Sequence, residues 1–184
     1  MKLKSFLVAF FFIPFLSILG QEEGRKTFTV RNEKGKIMEE YSLLLVNGKQ
    51  LYDSVSVRYY PNGKMKDSCY YEKGVIVGGA YTFDKKERVA SITEYNEMSF
   101  PREINFQTFF YSGACRKIEG KLIESENGED ERIGTWKYYW KNGQVMDSVI
   151  FENGKRVYRA RFNKKGQLEY EWDENGIRKG SPTM

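Results

Sequence analysis

The sequence predicts an all-β chain: stacked antiparallel β-hairpin repeats forming an elongated, twisted sheet. Three observations predict it. Two stretches nearly repeat one another, Tyr59-Tyr60-Pro61-Asn62-Gly63-Lys64-Met65-Lys66-Asp67-Ser68 and Tyr139-Trp140-Lys141-Asn142-Gly143-Gln144-Val145-Met146-Asp147-Ser148, each followed at the same distance by another glycine, Gly74 and Gly154. An internal repeat of this length decides the architecture before propensity is weighed. Apolar and polar residues alternate with a period of two, and nothing after residue 20 holds a helical period, although 88–100 fits either reading. Aromatic residues make up 16% of the chain and fall in short alternating runs, which suits the pleated, half-buried surface of a strand.

Residues 1–20 read as a secretory signal peptide. Lys2 and Lys4 give a positive start, and an apolar run from Phe6 to Leu19 follows, broken by Pro14 and Ser17. The run is well short of the roughly 20 residues a membrane span needs. Gly20 puts a small residue at the cleavage position, with Glu22 and Glu23 just beyond. An uncleaved N-terminal anchor is the competing reading. The expected address is export, to the periplasm, the outer envelope or the medium. Residues 21–184 are then one repeat array.

Within the array, the turn residue of each unit can be numbered zero: Gly35, Gly63, Gly113, Gly143 and Gly166, with Glu87 taking the place in a degenerate unit. Two residues later stand Ile37, Met65, Val89, Cys115, Val145 and Leu168, all apolar. Four residues earlier stand Arg31, Tyr59, Phe83, Phe109, Tyr139 and Phe162, all aromatic but the first. An aromatic entering and an aliphatic leaving a tight corner is the pattern of a hairpin. Asn47-Gly48, Asn62-Gly63, Asn142-Gly143, Asn153-Gly154 and Asn175-Gly176 are expected to form type I′ turns, whose positive φ angles Asn and Gly tolerate. The corner glycines to look for are therefore Gly63, Gly74, Gly143, Gly154, Gly166 and Gly176. Gly78-Gly79 reads as a further hairpin end. The units are clearest over 55–80, 134–160 and 160–180, and degenerate over 25–54 and 81–133. Asp67 and Asp147 fall on the apolar parity, which predicts a bulge there or a strand starting after them. With Ser68 and Ser148 they are expected to cap turn N–H groups.

These residues resemble the MORN-repeat family, in its degenerate variant built on Tyr-Tyr-x-Asn-Gly-x-aliphatic. Tyr59-Tyr60-x-Asn62-Gly63-Lys64-Met65 and Gly134-x-Trp136-x-Tyr138-Tyr139-Trp140-x-Asn142-Gly143 carry the resemblance. It implies a single-layer sheet of stacked hairpins serving as an interaction or membrane-associated module. Relatives of the variant are often labelled antitoxins of toxin–antitoxin pairs, which fits poorly with an exported chain.

Chemistry that the sequence disfavours is as informative. The chain has no histidine, so the usual general base and most zinc sites are missing. Paired carboxylates such as Glu39/Glu40, Glu129/Asp130/Glu131 and Asp173/Glu174 stand beside turns or in charged runs, where both stay solvated rather than facing across a cleft. The net charge of +5 is small, with acids and bases interleaved, which disfavours a nucleic-acid surface. Cys69 and Cys115 belong to units separated by a whole intervening unit, too far for a disulfide, so both are expected as free thiols. No cofactor and no metal are expected.

What remains is an aromatic surface made of Tyr59, Tyr60, Tyr71, Trp136, Tyr138, Tyr139 and Trp140. Ladders that merely hold the sheet together are one reading. A platform for a protein or polymer of the cell envelope is the other. Adjacent tyrosines point to opposite faces, so one of each pair should be partly exposed. The expected function is a non-enzymatic interaction module, with membrane-surface association and antitoxin-like partner binding as alternatives. Oligomeric state is left open.

Overall fold

The computed structural model describes residues 24–109 and 115–179. Fourteen strands follow one another: β1 (Arg25–Arg31), β2 (Ile37–Val46), β3 (Lys49–Tyr52), β4 (Ser54–Tyr59), β5 (Met65–Glu72), β6 (Val75–Phe83), β7 (Val89–Tyr95), β8 (Arg102–Phe109), β9 (Arg116–Glu124), β10 (Asp130–Tyr139), β11 (Val145–Glu152), β12 (Lys155–Phe162), β13 (Leu168–Trp172) and β14 (Arg178–Lys179). They form one open antiparallel sheet in chain order, with β3 beside β2 off the main path. The segment 88–100, ambiguous in sequence, supplies β7. The degenerate region therefore carries the sheet through its middle. The signal-peptide expectation over 1–20 and the corner at Gly113 lie outside the described residues.

The corners are of two kinds, which corrects the expectation of type I′ turns throughout. At Gly63 the Gly63 N–H donates to the Tyr60 carbonyl (2.8 Å) and the Tyr60 N–H to the Lys64 carbonyl (2.8 Å). Asn62 keeps a negative φ, and Gly63 alone is left-handed, at φ 85°. This is a three-residue loop closed by a bulge, one of the common hairpin connections. Gly35, Gly143 and Gly166 repeat it, and Glu87 does so without a glycine, at φ 63°. Gly176 accepts the same role after Asp173, so Asn175-Gly176 is also not type I′. Asn47-Gly48, Lys73-Gly74 and Asn153-Gly154, by contrast, have both residues left-handed, as type I′ requires. Asn62 and Asn142 are selected for a different reason: each side-chain oxygen accepts the N–H two residues on. Register shifts at Arg58/Tyr59 and Tyr138/Tyr139 place the expected bulge beside the Asp67 and Asp147 positions.

A further column emerges nine residues before the corner. Ser54 (φ 88°), Gly78 (φ 68°) and Gly134 (φ 59°) are all left-handed; pairing slips beside Gly78 and Gly134, and at Ser54 the partner of β2 changes from β3 to β4. Gly78-Gly79 thus lies within β6 at a bulge, not at a hairpin end. The bulge sharpens local twist, which a long ribbon needs in every unit.

Cross-strand partners share a face, so register sorts the side chains. Trp136, Val149, Arg159 and Trp172 are linked in one row across β10 to β13 and define a front face. Phe28, Tyr41, Tyr52, Tyr71 and Phe106 belong to the same face. Its buried apolar residues are few: Ile104, Trp136 and Val149, with Ala160 on the back. A one-layer sheet has no second layer to hide behind. Its interior is therefore made of rings and of the aliphatic stems of arginines.

Candidate functional site

The expected aromatic residues divide into three groups with different partners. Tyr59 and Tyr139, four residues before their corners, point to the back face. Tyr59 donates to Glu40 (2.7 Å), and Tyr139 donates to Glu119. Burial and then the carboxylate neighbour push both phenols up to about 12. The hydrogen bond needs the phenol protonated, so both rings are neutral struts between strands.

Tyr60 and Trp140, one residue nearer the corner, reach across to the next unit. Tyr60 donates to the Phe83 carbonyl (2.8 Å) and Trp140 Nε1 donates to the Phe162 carbonyl (3.1 Å). Phe83 and Phe162 hold the same place in their own units, so the cross-link is repeated with a different side chain. The polar tip of each ring is spent on structure. The rings themselves stay half-exposed, facing hollows at the turn edge.

Trp136 is corrected from platform to core: it is 3% exposed. Its indole lies directly over Gly120, where a Cβ would overlap it, and Nε1 donates to the Lys121 carbonyl (3.0 Å). Phe106 and Phe151 flank it at 6.2 and 6.3 Å between ring centroids, and the Arg132 guanidinium covers it at 4.5 Å. Gly120 had no signal in the turn pattern. A glycine inside an alternating strand, opposite a tryptophan, is the sign that could have found it. Tyr138 shares the front face and accepts a hydrogen bond from Arg132 (3.2 Å).

Tyr71 joins a stack the sequence did not assemble. Phe28, Tyr41, Tyr52 and Tyr71 follow one another across the front face at centroid distances of 5.4, 5.3 and 5.0 Å. Phe28 and Tyr52 are 37% and 39% exposed, so the stack shows its rim to solvent. Burial first, then Cys69, pushes the Tyr71 phenol up to about 12. On the back face Tyr70 and Tyr81 are exposed too. Tyr70 and Tyr71 divide between faces as adjacent strand residues must.

Polar groups are largely matched inside the protein. Asp67 and Asp147 pair with arginines rather than capping turns: Arg58 Nε meets Asp67 at 2.7 Å, and Arg159 Nε meets Asp147 at 2.9 Å. Asp53, at the kink between β3 and β4, accepts from Arg25 and from the Lys73 N–H; burial, the largest single influence, pushes its carboxyl up, but the Lys73 N–H and Arg25 together hold it below the usual range. Arg102 is 3% exposed; it pairs with Glu124 (2.6 Å), donates to the Ile76 and Glu97 carbonyls, and stacks on Tyr95 and Phe100. Cys69 is half-buried, Cys115 is exposed, and both are free. Among the described residues no group of three or more His, Cys, Asp or Glu side chains is placed to hold a metal. The front face offers stacking area and fixed charge.

No protein-family model matches the chain, and no curated protein matches it. A protein with unknown function from Bacteroides fragilis, known from a crystal structure, is similar at 12% identity over 88% of this chain and 94% of its own, with a TM-score of 0.18.

Proposed function

We propose that the protein is a non-enzymatic, exported interaction module that binds a protein or polymer of the cell envelope along its sheet. The exposed ring stack Phe28–Tyr41–Tyr52–Tyr71 carries this reading. Its rings stack in turn on β1, β2, β3 and β5 of one sheet, each held by its neighbour, so binding would cost little ordering entropy. Aromatic rims of this kind supply the contact area on which binding sites concentrate their energy. Export rests on the N-terminal sequence pattern. The test is affinity capture from envelope extract with the wild type and with a Phe28→Ser, Tyr52→Ser double variant. The reading expects a partner, identified by mass spectrometry, that is held by the wild type and lost by the variant while circular dichroism shows the sheet intact. A partner retained equally by the variant would remove the ring stack as the binding surface.

A further inference from the structure

Acids and bases that interleave along the chain separate in space. Antiparallel order sends alternate connections to opposite edges of the sheet. The corners at Gly35, Gly63, Glu87, Gly143 and Gly166 all fall on one edge, and those at Gly48, Gly74, Gly128, Gly154 and Gly176 on the other. The first edge is rich in lysine. Lys34, Lys85, Lys86, Lys141 and Lys165 project from it, and none has a carboxylate partner among the described residues. Of its acids, Glu87 is paired with Lys64 (3.0 Å) and Asp84 with Arg88 (2.5 Å), leaving Glu33. The second edge carries the acidic turns Glu126–Glu131 and Asp173-Glu174 together with Glu72, Glu97 and Glu152, against Lys49, Lys73, Lys155 and Arg156.

The basic edge also repeats a built feature. One hollow, of about 520 Å³, is lined by Tyr60, Lys66 and Asp67 with Asp84, Lys85, Lys86 and Arg88 of the next corner; both aspartates are paired with arginines. A second, of about 440 Å³, is lined by Trp140 with Arg161, Asn163, Lys164, Lys165, Gln167 and Glu169; Arg161 and Glu169 face one another at 3.6 Å. Tyr60 and Trp140 hold equivalent positions, as do the lysine pairs Lys85-Lys86 and Lys164-Lys165. In each, a ring fixed by its hydrogen bond to a backbone carbonyl stands beside two adjacent lysines. In the second, Lys164 Nζ also lies 5.6 Å from the Trp140 ring centre.

We propose that these two hollows bind a linear acidic polysaccharide, each taking a short stretch of it across neighbouring strand ends. Strands about 4.8 Å apart place the two corners that frame each hollow roughly 10 Å apart. An extended polyuronate repeats its disaccharide on a similar pitch and carries a carboxylate on each sugar. The apolar face of a sugar ring stacks on Tyr60 or Trp140, and carboxylates meet the lysine pairs. A lone ring per hollow, with charged and amide side chains around it, suits a sugar better than a run of stacked bases, which needs successive rings. The site lies at the strand ends, away from the ring stack of the front face, and extends the binding-module reading to a second surface.

Isothermal titration of the full chain with polygalacturonate, in about 50 and then 200 mM salt, tests the proposal. Saturable binding that weakens with salt is expected, with none to a neutral linear glucan. Lys85→Glu, Lys86→Glu and, separately, Lys164→Glu, Lys165→Glu should each lower affinity about tenfold, the loss expected when two counter-charges are reversed along a polyanion track. Lys49→Glu, Lys155→Glu, the same charge change on the other edge, should leave it unaltered. No binding, or an equal loss from the opposite-edge variant, overturns the proposal. So does tighter binding of single-stranded DNA of equal charge or of anionic lipid vesicles. Failure here with capture of a partner by the ring stack would leave the module reading standing.

Discussion

The stretches around Gly63 and Gly143 share corner, register and aspartate, yet they are stabilised differently. Asp67 takes its arginine from the preceding strand: Arg58 lies directly opposite, and more than half of that side chain is exposed. In the second copy Tyr138 stands where Arg58 does, and Asp147 takes Arg159 and Arg161 from the following strand instead, with only 4% of the aspartate exposed. Seven residues before the corner the first copy has Ser56 and the second has Trp136. The repeat thus fixes where a side chain points. What that side chain does depends on the neighbouring unit, because a single layer gives each strand no other company.

The largest expected effect separates the two copies at that column. Trp136→Ala should cost about 3–5 kcal/mol in urea titration, as the loss of a buried ring does, while Ser56→Ala should come close to neutral. Gly120→Ala should destabilise by about 1–3 kcal/mol, because the new methyl displaces the indole. Equal losses from Trp136→Ala and Ser56→Ala would break the comparison.

Next come the aspartates. Asp147→Ala should cost about 2–3 kcal/mol, since two partly solvated arginines lose a buried acceptor. Asp67→Ala should cost at most about 1 kcal/mol, because its partner is exposed. The difference between the two midpoints is the quantity to measure.

Where the copies agree, they should respond alike. Tyr60→Phe and Trp140→Phe each remove one hydrogen bond to the next unit, and each should cost about 1 kcal/mol. Tyr59 and Tyr139 give a matched pH signature. Their folded values of about 12 exceed the ordinary 10.0, so the native state holds the proton more tightly. Stability from these groups is complete below pH 10 and is lost as pH rises toward 12. Tyr59→Phe and Tyr139→Phe should each flatten that alkaline decline by a similar amount, read from urea midpoints across the interval.

Much of this fold was legible in sequence for a physical reason. Corners impose backbone demands that few residues meet, so Asn-Gly and the flanking aromatic and aliphatic columns reveal the hairpins. The aspartate parity rightly signalled the bulges. The turn type was missed because Asn serves two ends: it tolerates a left-handed backbone at Asn47 and Asn153, and at Asn62 and Asn142 it accepts a neighbouring N–H. Glu87 shows that a corner can form without glycine. The aromatic surface was half legible. Residue type marked the rings, but which ones are covered depends on register between strands distant in sequence. Trp136 is buried by Gly120 and Arg132, and Tyr71 is joined to Phe28 across three strands. The segregation of charge between edges was invisible for the same reason, since chain order alternates what topology sorts.

Small ties run from corner to corner: Lys36 Nζ to the Pro61 carbonyl, Lys64 to Glu87, Asn142 Nδ2 to the Lys164 carbonyl. Each spans one unit and no more, and strand packing likewise runs between sheet neighbours. Pulled from its two ends, such a ribbon should part like a zip, tooth after tooth, giving a sawtooth of small force peaks in place of one large rupture. The same locality would let the gene gain or lose a hairpin without rewriting the others.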